Sequence, residues 1–302
     1  MKHLLSIEAL SGEEIARIIT LATRMKAERG RHAAQSLAGQ CWALMFSKAS
    51  TRTRVSFEVG IRELGGDVMF LSAGDIQLGR GEPIKDTARV MGRMLGGAVI
   101  RTFAQSDVEQ FAQYSGIPTI NALTDDEHPC QILADLQTIK EKLGDYASRK
   151  VCFVGDGACN VARSWIWAAA RCGFELTIAA PANYQPGPAL LEAVNSPNIR
   201  VTADPEEAAR GAEVLYTDVW VSMGKEDEAA FRIAQLAGYQ INRALVAAAA
   251  PGALVMHCLP AYREKEITDE VFEEHAGTIF DEAENRLHAQ KAVLAMLSGI
   301  YD

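Results

Sequence analysis

The sequence predicts an α/β protein of two domains, each with a parallel β-sheet flanked by helices, and an active site in the cleft between the domains. Three observations carry this. The length, 302 residues, suits about two domains at roughly 150 residues each. Short apolar, strand-like runs alternate with helical patterns along nearly the whole chain, as a parallel sheet with helices on both faces requires. Polar clusters interrupt that alternation near predicted strand ends, where such sheets bind ligands.

The elements follow in order. Ser11-Gly12-Glu13-Glu14 reads as a capping box, and Ile15, Ile18, Ile19, Ala22 and Met25 follow at helical spacing. Strands are expected at 41–46, 67–71, 98–101 and 118–121, with helices at 52–64, 84–95 and 106–114 between them. Pro129 suits the first position of a long helix running to about Leu143. Gly144-Asp145-Tyr146 breaks the pattern and marks the domain junction. A second series of strands is expected at 150–154, 175–180, 199–202, 213–217, 253–257 and 277–280. A last helix, 283–298, carries Leu287, Ala292, Val293, Leu294, Met296 and Leu297 as its apolar positions.

Bulk properties narrow the function classes. Hydrophobic residues make up 48% of the chain, enough for a sizeable core. The net charge of −9 and pI of about 5.3 argue against a nucleic-acid partner, whose footprint is a basic face. The N-terminal residues show no apolar signal segment, and no run of about 18 apolar residues predicts a membrane span. Six scattered cysteines, Cys41, Cys130, Cys152, Cys159, Cys172 and Cys258, show no paired framework, so free thiols in a reducing cytoplasm are expected.

Five clusters stand out. Lys48 to Glu58 packs two arginines, a lysine and four hydroxyls into a strand-to-helix turn, with Ser50, Thr51, Arg52 and Thr53 at its centre. Free N–H groups and the positive end of the helix dipole converge there, and arginine adds a planar fork for phosphate oxygens. A solvated turn of surface salt bridges is the plainer reading. Arg101 closes the run Ala98-Val99-Ile100; alone, it reads as a surface arginine. His128-Pro129-Cys130-Gln131 projects an imidazole and an amide from one helical turn, suited to polarising a carbonyl and bonding its amide. A structural histidine is the competing reading. Asp218 follows Val214-Leu215-Tyr216 and leads into Ser222-Met223-Gly224; it suits an ammonium partner, or else an acidic helix start. His257-Cys258-Leu259-Pro260 offers a thiol beside an imidazole, without the paired spacing of a zinc site, and no metal is expected.

Two further signals bear on function. Val154-Gly155-Asp156-Gly157-Ala158-Cys159-Asn160 resembles a glycine-rich nucleotide turn, but Asn160 holds the third glycine position and Ile178-Ala179-Ala180-Pro181 ends without an acid for a ribose. A nicotinamide cofactor is therefore not expected. Arg286, in Glu282-Ala283-Glu284-Asn285-Arg286, reads by default as a surface residue at the start of the last helix.

Together and in this order, the clusters resemble the aspartate/ornithine carbamoyltransferase family over nearly the whole chain. Ser50-Thr51-Arg52-Thr53-Arg54 and His128-Pro129-Cys130-Gln131 are similar to its two shared carbamoyl-phosphate signatures. Ser222-Met223-Gly224, His257-Cys258-Leu259-Pro260 and Glu284-Asn285-Arg286 are similar to its ornithine-specific branch. The resemblance implies carbamoyl transfer from carbamoyl phosphate to the δ-amine of L-ornithine, giving L-citrulline and phosphate in arginine metabolism. It implies no cofactor, no membrane or nucleic-acid partner, and a homotrimer or a multiple of trimers. It implies a carbamoyl-phosphate domain at 1–144, with the last helix (about 283–302) packing back on it, and an ornithine domain at 145–302.

Residue by residue, the resemblance implies that Ser50, Thr51, Arg52 and Thr53 hold the phosphate, with Gln77 reaching carbamoyl phosphate, often across a subunit interface. It implies Arg101 and His128 at the carbamoyl and phosphate oxygens, Gln131 at the carbamoyl amide, and Pro129 and Cys130 in the same binding turn. Asn160, Asp218, Ser222 and Met223 are implied at the ornithine α-amino and α-carboxyl ends. Cys258 and the Leu259 backbone are implied beside the reacting groups, with Arg286 nearby. Arg101, His128, Gln131, Cys258 and Arg286 form the expected catalytic set. Many family members carry Asn-Asn where this chain has Cys159-Asn160. A different acceptor (putrescine or an N-acylated ornithine) and a non-catalytic carbamoyl-phosphate sensor are the alternatives.

Overall fold

Capping, apolar periodicity and strand alternation build two units, Met1–Gln137 with Asn285–Asp302, and Thr138–Glu284. A computed structural model describes residues 1–31, 35–72, 74, 82–221 and 226–300.

In the first unit, α1 (Gly12–Ala27) starts at the expected box: Glu14 N–H donates to the Ser11 hydroxyl, and the Glu14 carboxylate accepts from Ser11 N–H at 2.9 Å. The chain continues through β1 (Cys41–Phe46), α2 (Thr51–Glu63), β2 (Asp67–Ser72), α3 (Ile84–Met91), β3 (Gly97–Arg101), α4 (Gln105–Ser115) and β4 (Thr119–Leu123). The sheet is all parallel, in the order β2-β1-β3-β4. Period-two alternation sends Ala43, Met45, Ala98 and Ile100 to one face, where Val108 and Phe111 of α4 and Ala88 of α3 pack on them. Helix α3 stops at Met91, and the chain runs on to the expected 95 in hydrogen-bonded turns; a side chain on Gly92 would overlap the Ser115 carbonyl.

Helix α5 (Pro129–Leu143) has the expected limits, with proline at its first position, where a missing N–H costs nothing. In the second unit follow β5 (Lys150–Val154), α6 (Asn160–Cys172), β6 (Glu175–Ala179), α7 (Pro188–Val194), β7 (Ile199–Thr202), α8 (Pro205–Ala209), β8 (Val214–Thr217), α9 (Ala229–Leu236), α10 (Arg243–Ala248), β9 (Leu254–His257) and α11 (Asp269–Glu274). The parallel order is β7-β6-β5-β8-β9. One face packs Cys152, Val154, Leu215 and Val255 against α8, α10 and α11. On Trp165 of α6, the rings of Phe174 and Tyr216 meet edge to face.

The expected strand at 277–280 is not a strand. Helix α12 (Ala276–Leu297) begins there, seven residues before the expected start at 283. A stretch as short as Gly277-Thr278-Ile279-Phe280 fits a strand and a helix turn equally well. Burial decides it: Ile279 is buried in the second core, Phe280 is exposed, and Glu282 is buried again.

In both sheets the strand order reverses once. The switch lies between β1 and β3 in the first unit, and between β5 and β8 in the second. Loops leaving the carboxyl ends of strands flanking such a switch point diverge and leave a crevice for ligand.

Candidate functional site

The Ser50–Arg54 cluster and Arg101 lie where the chain leaves the first switch point. Ser50 caps α2 in an extended conformation, and its side chain makes no capping hydrogen bond; the first turn contains no acid. An uncapped, acid-free helix start is a ready anion site. Thr51 and Arg52 are exposed there, whereas Thr53 is buried. The neighbouring cations differ in use. Arg54 pairs with Glu58 at 2.7 Å and lies over the Phe70 ring. Lys48 is buried against Asp125 at 2.5 Å and covers the Phe103 ring. These two side chains anchor the loop to its neighbours, Arg54 to α2 and β2 and Lys48 to the segments after β3 and β4.

Arg101 ends β3 beside the same loop; its carbonyl accepts from Ser47 N–H at 2.8 Å, and only 6% of the residue is exposed. The plain surface reading of this arginine is therefore overturned. His128 precedes α5, and its carbonyl accepts from Gln131 N–H at 3.0 Å. Burial holds the imidazole pKa well below its ordinary value, and Arg286 and Arg101 push it the same way. His128 is thus a neutral hydrogen-bonding group beside two arginines. Cys130 turns away to the Asn121 carbonyl at 3.4 Å, and burial pushes its thiol up to about 12.

Arg286 is also buried, with 5% exposed, well inside α12 and not at its start. Its Nη1 donates to Gln131 Oε1 at 2.6 Å, and its Nη2 donates to Thr53 Oγ1 at 3.2 Å. Three distant segments, α2, α5 and α12, thereby share one hydrogen-bonded cluster. Gln131 Nε2 in turn donates to Asp135 Oδ1 at 2.8 Å. Lys291, fully buried, reaches Glu63 at 2.5 Å, and Lys26 donates to Asn285 at 2.8 Å; both hold this part of α12 in the first unit.

The glycine turn with Asn160, and Asp218, lie at the second switch point. The glycine turn after β5 is tight: a Cβ on Gly157 would meet Ile178 at 2.6 Å, and Gly155 has φ +134°. Cys159 caps α6 with its sulfur, which accepts from Ala162 N–H at 3.4 Å. Asn160 then starts the helix, half-buried. Arg232 of α9 pairs with Asp156 of this turn, and its Nε donates to the Trp220 carbonyl at 2.8 Å.

Asp218 follows β8 and Cys258 follows β9. The Cys258 thiol donates to Asp218 Oδ1 at 2.9 Å, and Val219 N–H donates to the same oxygen at 2.7 Å. Burial raises the Asp218 pKa despite opposing contributions from His257 and Cys258. His257 organises the turn: its N–H donates to Glu282 at 2.9 Å, its Nδ1 accepts from Leu259 N–H at 2.9 Å, and its Nε2 lies 3.1 Å from Glu266. The second contact fixes Nδ1 as the acceptor, so Nε2 carries the proton given to Glu266. Leu259 sits at φ +57°, before a cis peptide to Pro260. Such left-handed leucine is held by surrounding bonds, here the one to His257. Asp218, His257 and Cys258 each bring a possible metal-ligating atom within 4.8 Å of the others, but both ring nitrogens of His257 already have partners.

Gln77, Ser222 and Met223 lie outside the described residues. Sequence reasoning missed Asp135, Asp156, Arg232, Glu266 and Glu282. Only Asp135 had a signal, its spacing of four from Gln131 on one helix. The others meet their partners through long-range folding.

A family model described as the aspartate/ornithine carbamoyltransferase carbamoyl-P binding domain matches residues 2–141, and one described as the Asp/Orn binding domain of the same family matches residues 147–297. The ornithine carbamoyltransferase of Akkermansia muciniphila is 60% identical over 99% of this chain and 98% of its own length. That of Syntrophotalea carbinolica is 52% identical over 98% and 99%. Among solved structures, the anabolic ornithine carbamoyltransferase of Campylobacter jejuni superposes with a TM-score of 0.94 at 42% identity, covering 99% of this chain and 100% of that one. The enzyme of Pyrococcus furiosus gives 0.92 at 42% identity, with 99% and 97% covered. With donor signatures at one switch point, acceptor signatures at the other, and both domain models matched in turn, the chain belongs to the aspartate/ornithine carbamoyltransferase family.

Proposed function

We propose that this chain transfers the carbamoyl group of carbamoyl phosphate to the δ-amine of L-ornithine, giving L-citrulline and phosphate. The observation that carries the acceptor is the Cys258–Asp218 contact at 2.9 Å, a carboxylate and thiol turned toward each other at the ends of β8 and β9. Asp218 suits an ammonium group, and the full-length relatives at 60% and 52% identity are named ornithine carbamoyltransferase.

In this reading Ser50, Thr51, Arg52 and Thr53 bind the phosphate, with Gln77 completing the donor site. Arg101, neutral His128 and Arg286 stabilise the carbonyl oxygen, and Gln131 binds the carbamoyl nitrogen. Asn160, Asp218, Ser222 and Met223 bind the amino-acid end of ornithine, beside Cys258 and Leu259. The ornithine ammonium loses a proton, and the free δ-nitrogen attacks the carbonyl carbon. A C–N bond forms and negative charge gathers on the carbonyl oxygen. The bond between that carbon and the bridging oxygen then breaks, the phosphate leaves with that oxygen and the electron pair, and the nitrogen sheds its second proton. One fixed donor to such an oxyanion is typically worth about 3–4 kcal/mol, and holding two reactants together supplies much of the rest.

The chain works as a homotrimer in the cytoplasm, in arginine biosynthesis. Exposed apolar side chains of the first unit, Val55, Met69, Val90 and Met94, support assembly, and six cysteines without a disulfide support a reducing compartment. The test of the acceptor is a panel of amines with carbamoyl phosphate. Ornithine should turn over far faster than aspartate, putrescine or N-acetylornithine; a faster rate with any of these three contradicts the reading. Light scattering should give three times the 32.8 kDa chain mass, or a multiple of that trimer.

A further inference from the structure

We propose that Glu127 is a positioning residue for carbamoyl transfer: its buried carboxylate ties the loop that delivers His128 to the turn ahead of α1, and so fixes where the imidazole meets the carbamoyl group. The inference deepens the carbamoyl-transfer reading and rests on it, because it needs His128 at the reacting group.

Residues 124–128 connect β4 to α5. A glutamate in such a loop is ordinarily solvated, yet Glu127 is only 2% exposed. A carboxylate buried this far needs donors, and Glu127 finds them about 120 positions away in sequence. Its Oε2 accepts from Ile7 N–H at 2.8 Å and its Oε1 from Glu8 N–H at 3.3 Å. Each carboxylate oxygen thus serves one of two successive backbone donors. The donors sit on a closed turn, in which Leu10 N–H donates to the Ile7 carbonyl at 3.1 Å and Ala9 N–H donates to Ser6 Oγ at 3.1 Å. That turn runs directly into the capping box of α1.

The segment ahead of the turn is itself registered on β4. Leu4 N–H donates to the Thr119 carbonyl at 2.9 Å, Asn121 N–H donates to the Leu4 carbonyl at 2.7 Å, and Asn121 Nδ2 donates to the Leu5 carbonyl at 2.9 Å. The loop also closes on Glu127 through its backbone: Thr124 N–H donates to the Glu127 carbonyl at 3.0 Å, and Glu127 N–H donates to Thr124 Oγ1 at 3.2 Å. His128 is the next residue, and its carbonyl accepts from Gln131 N–H at 3.0 Å and from Ile132 N–H at 3.4 Å. Helix α5 therefore holds His128 on one side, and the Glu127 carboxylate anchors the chain on the other. Truncating that carboxylate releases the loop from the turn ahead of α1 and leaves the Thr124 contacts in place. A shift of about 1 Å at a reacting group costs on the order of 10²-fold in rate.

The experiment is a double-mutant cycle in kcat on the full-length chain. Glu127→Ala and His128→Asn are made singly and together and assayed with carbamoyl phosphate and L-ornithine. Thermal unfolding of each variant sets an assay temperature at which all are folded. Glu127→Ala should lower kcat by about 10- to 100-fold and leave the KM for ornithine unchanged. Glu127→Gln keeps a carbonyl oxygen to accept from Ile7 N–H and should recover most of the rate. A residue that acts through His128 has little left to lose once that imidazole is gone. In the His128→Asn background, Glu127→Ala should therefore cost about twofold or less. Equal fractional losses in the two backgrounds mean general loosening of the fold and overturn the proposal. So does an unchanged kcat in Glu127→Ala or in His128→Asn. If Glu127→Ala does not fold, Glu127→Asp, one methylene short, takes its place with the same outcomes. A wild type that makes no citrulline refutes the transfer reading itself, and the proposal with it; additive losses in an active wild type refute the proposal alone.

Discussion

Arg286 Nη1 donates to Gln131 Oε1 at 2.6 Å across 155 positions of sequence. The same guanidinium reaches Thr53 at 3.2 Å. One side chain thus joins helix α2 to helix α5. Replacing it with methionine keeps its bulk and removes both bonds. Arg286→Met should lower kcat/KM for carbamoyl phosphate by about 10²- to 10³-fold, the usual loss for one oxyanion donor. The KM for ornithine should change little. Steady-state kinetics with each substrate varied in turn provide the check.

Arg52 makes a contrasting case because it is exposed at the uncapped start of α2. Arg52→Ala should leave the melting temperature within a few degrees of wild type, since surface substitutions cost about 0.5 kcal/mol or less. Its activity should fall by about 10²-fold or more. Near-normal turnover would place the phosphate elsewhere.

His128 gives a prediction in pH. Burial, with Arg286 and Arg101 beside it, holds its pKa well below 6.5. Above that value both folded and unfolded chains carry it neutral, and its stabilising contribution is complete. As pH falls below 6.5 the unfolded chain takes up a proton that the folded chain refuses, so stability is lost toward acid. The NMR signals of the His128 ring should not shift between pH 8 and pH 6. Denaturant midpoints should fall on acidification, and less steeply in His128→Asn. A ring titrating near 6.5 would contradict a neutral His128.

The Arg232–Asp156 pair is buried and ties the glycine turn before Asn160 to the Trp220 carbonyl. Removing one member of a buried pair leaves the other charge stranded, at a cost of about 3–5 kcal/mol. Arg232→Met should lower the melting temperature by several degrees. Asp156→Asn with Arg232→Met should recover part of the loss in a double-mutant cycle, read by thermal unfolding.

Much of this was legible in the sequence where a local rule decides the outcome. Pro129 sets the start of α5, and Ser11 with Glu14 sets that of α1. The run Cys41–Phe46 is a strand, and the turn after it leads through Ser50 into α2. Local rules failed where burial depends on distant partners. Arg101 and Arg286 read singly as surface arginines, yet both are buried against groups that neighbouring sequence does not reveal. Gly277 to Phe280 was too short to tell a strand from a helix turn, and packing of Ile279 into the second core settled it. Glu266 and Glu282 had no local pattern at all. They matter because His257 needs one acceptor for its ring and another for its backbone N–H.

The central claim is transfer of an intact carbamoyl group to ornithine, and carbon-13-labelled carbamoyl phosphate tests it most directly. Incubated with the protein and L-ornithine and followed by NMR, the label should move into the ureido carbon of citrulline, with one phosphate released per citrulline. Label that appears only as cyanate or bicarbonate, at the rate seen without protein, would contradict the account.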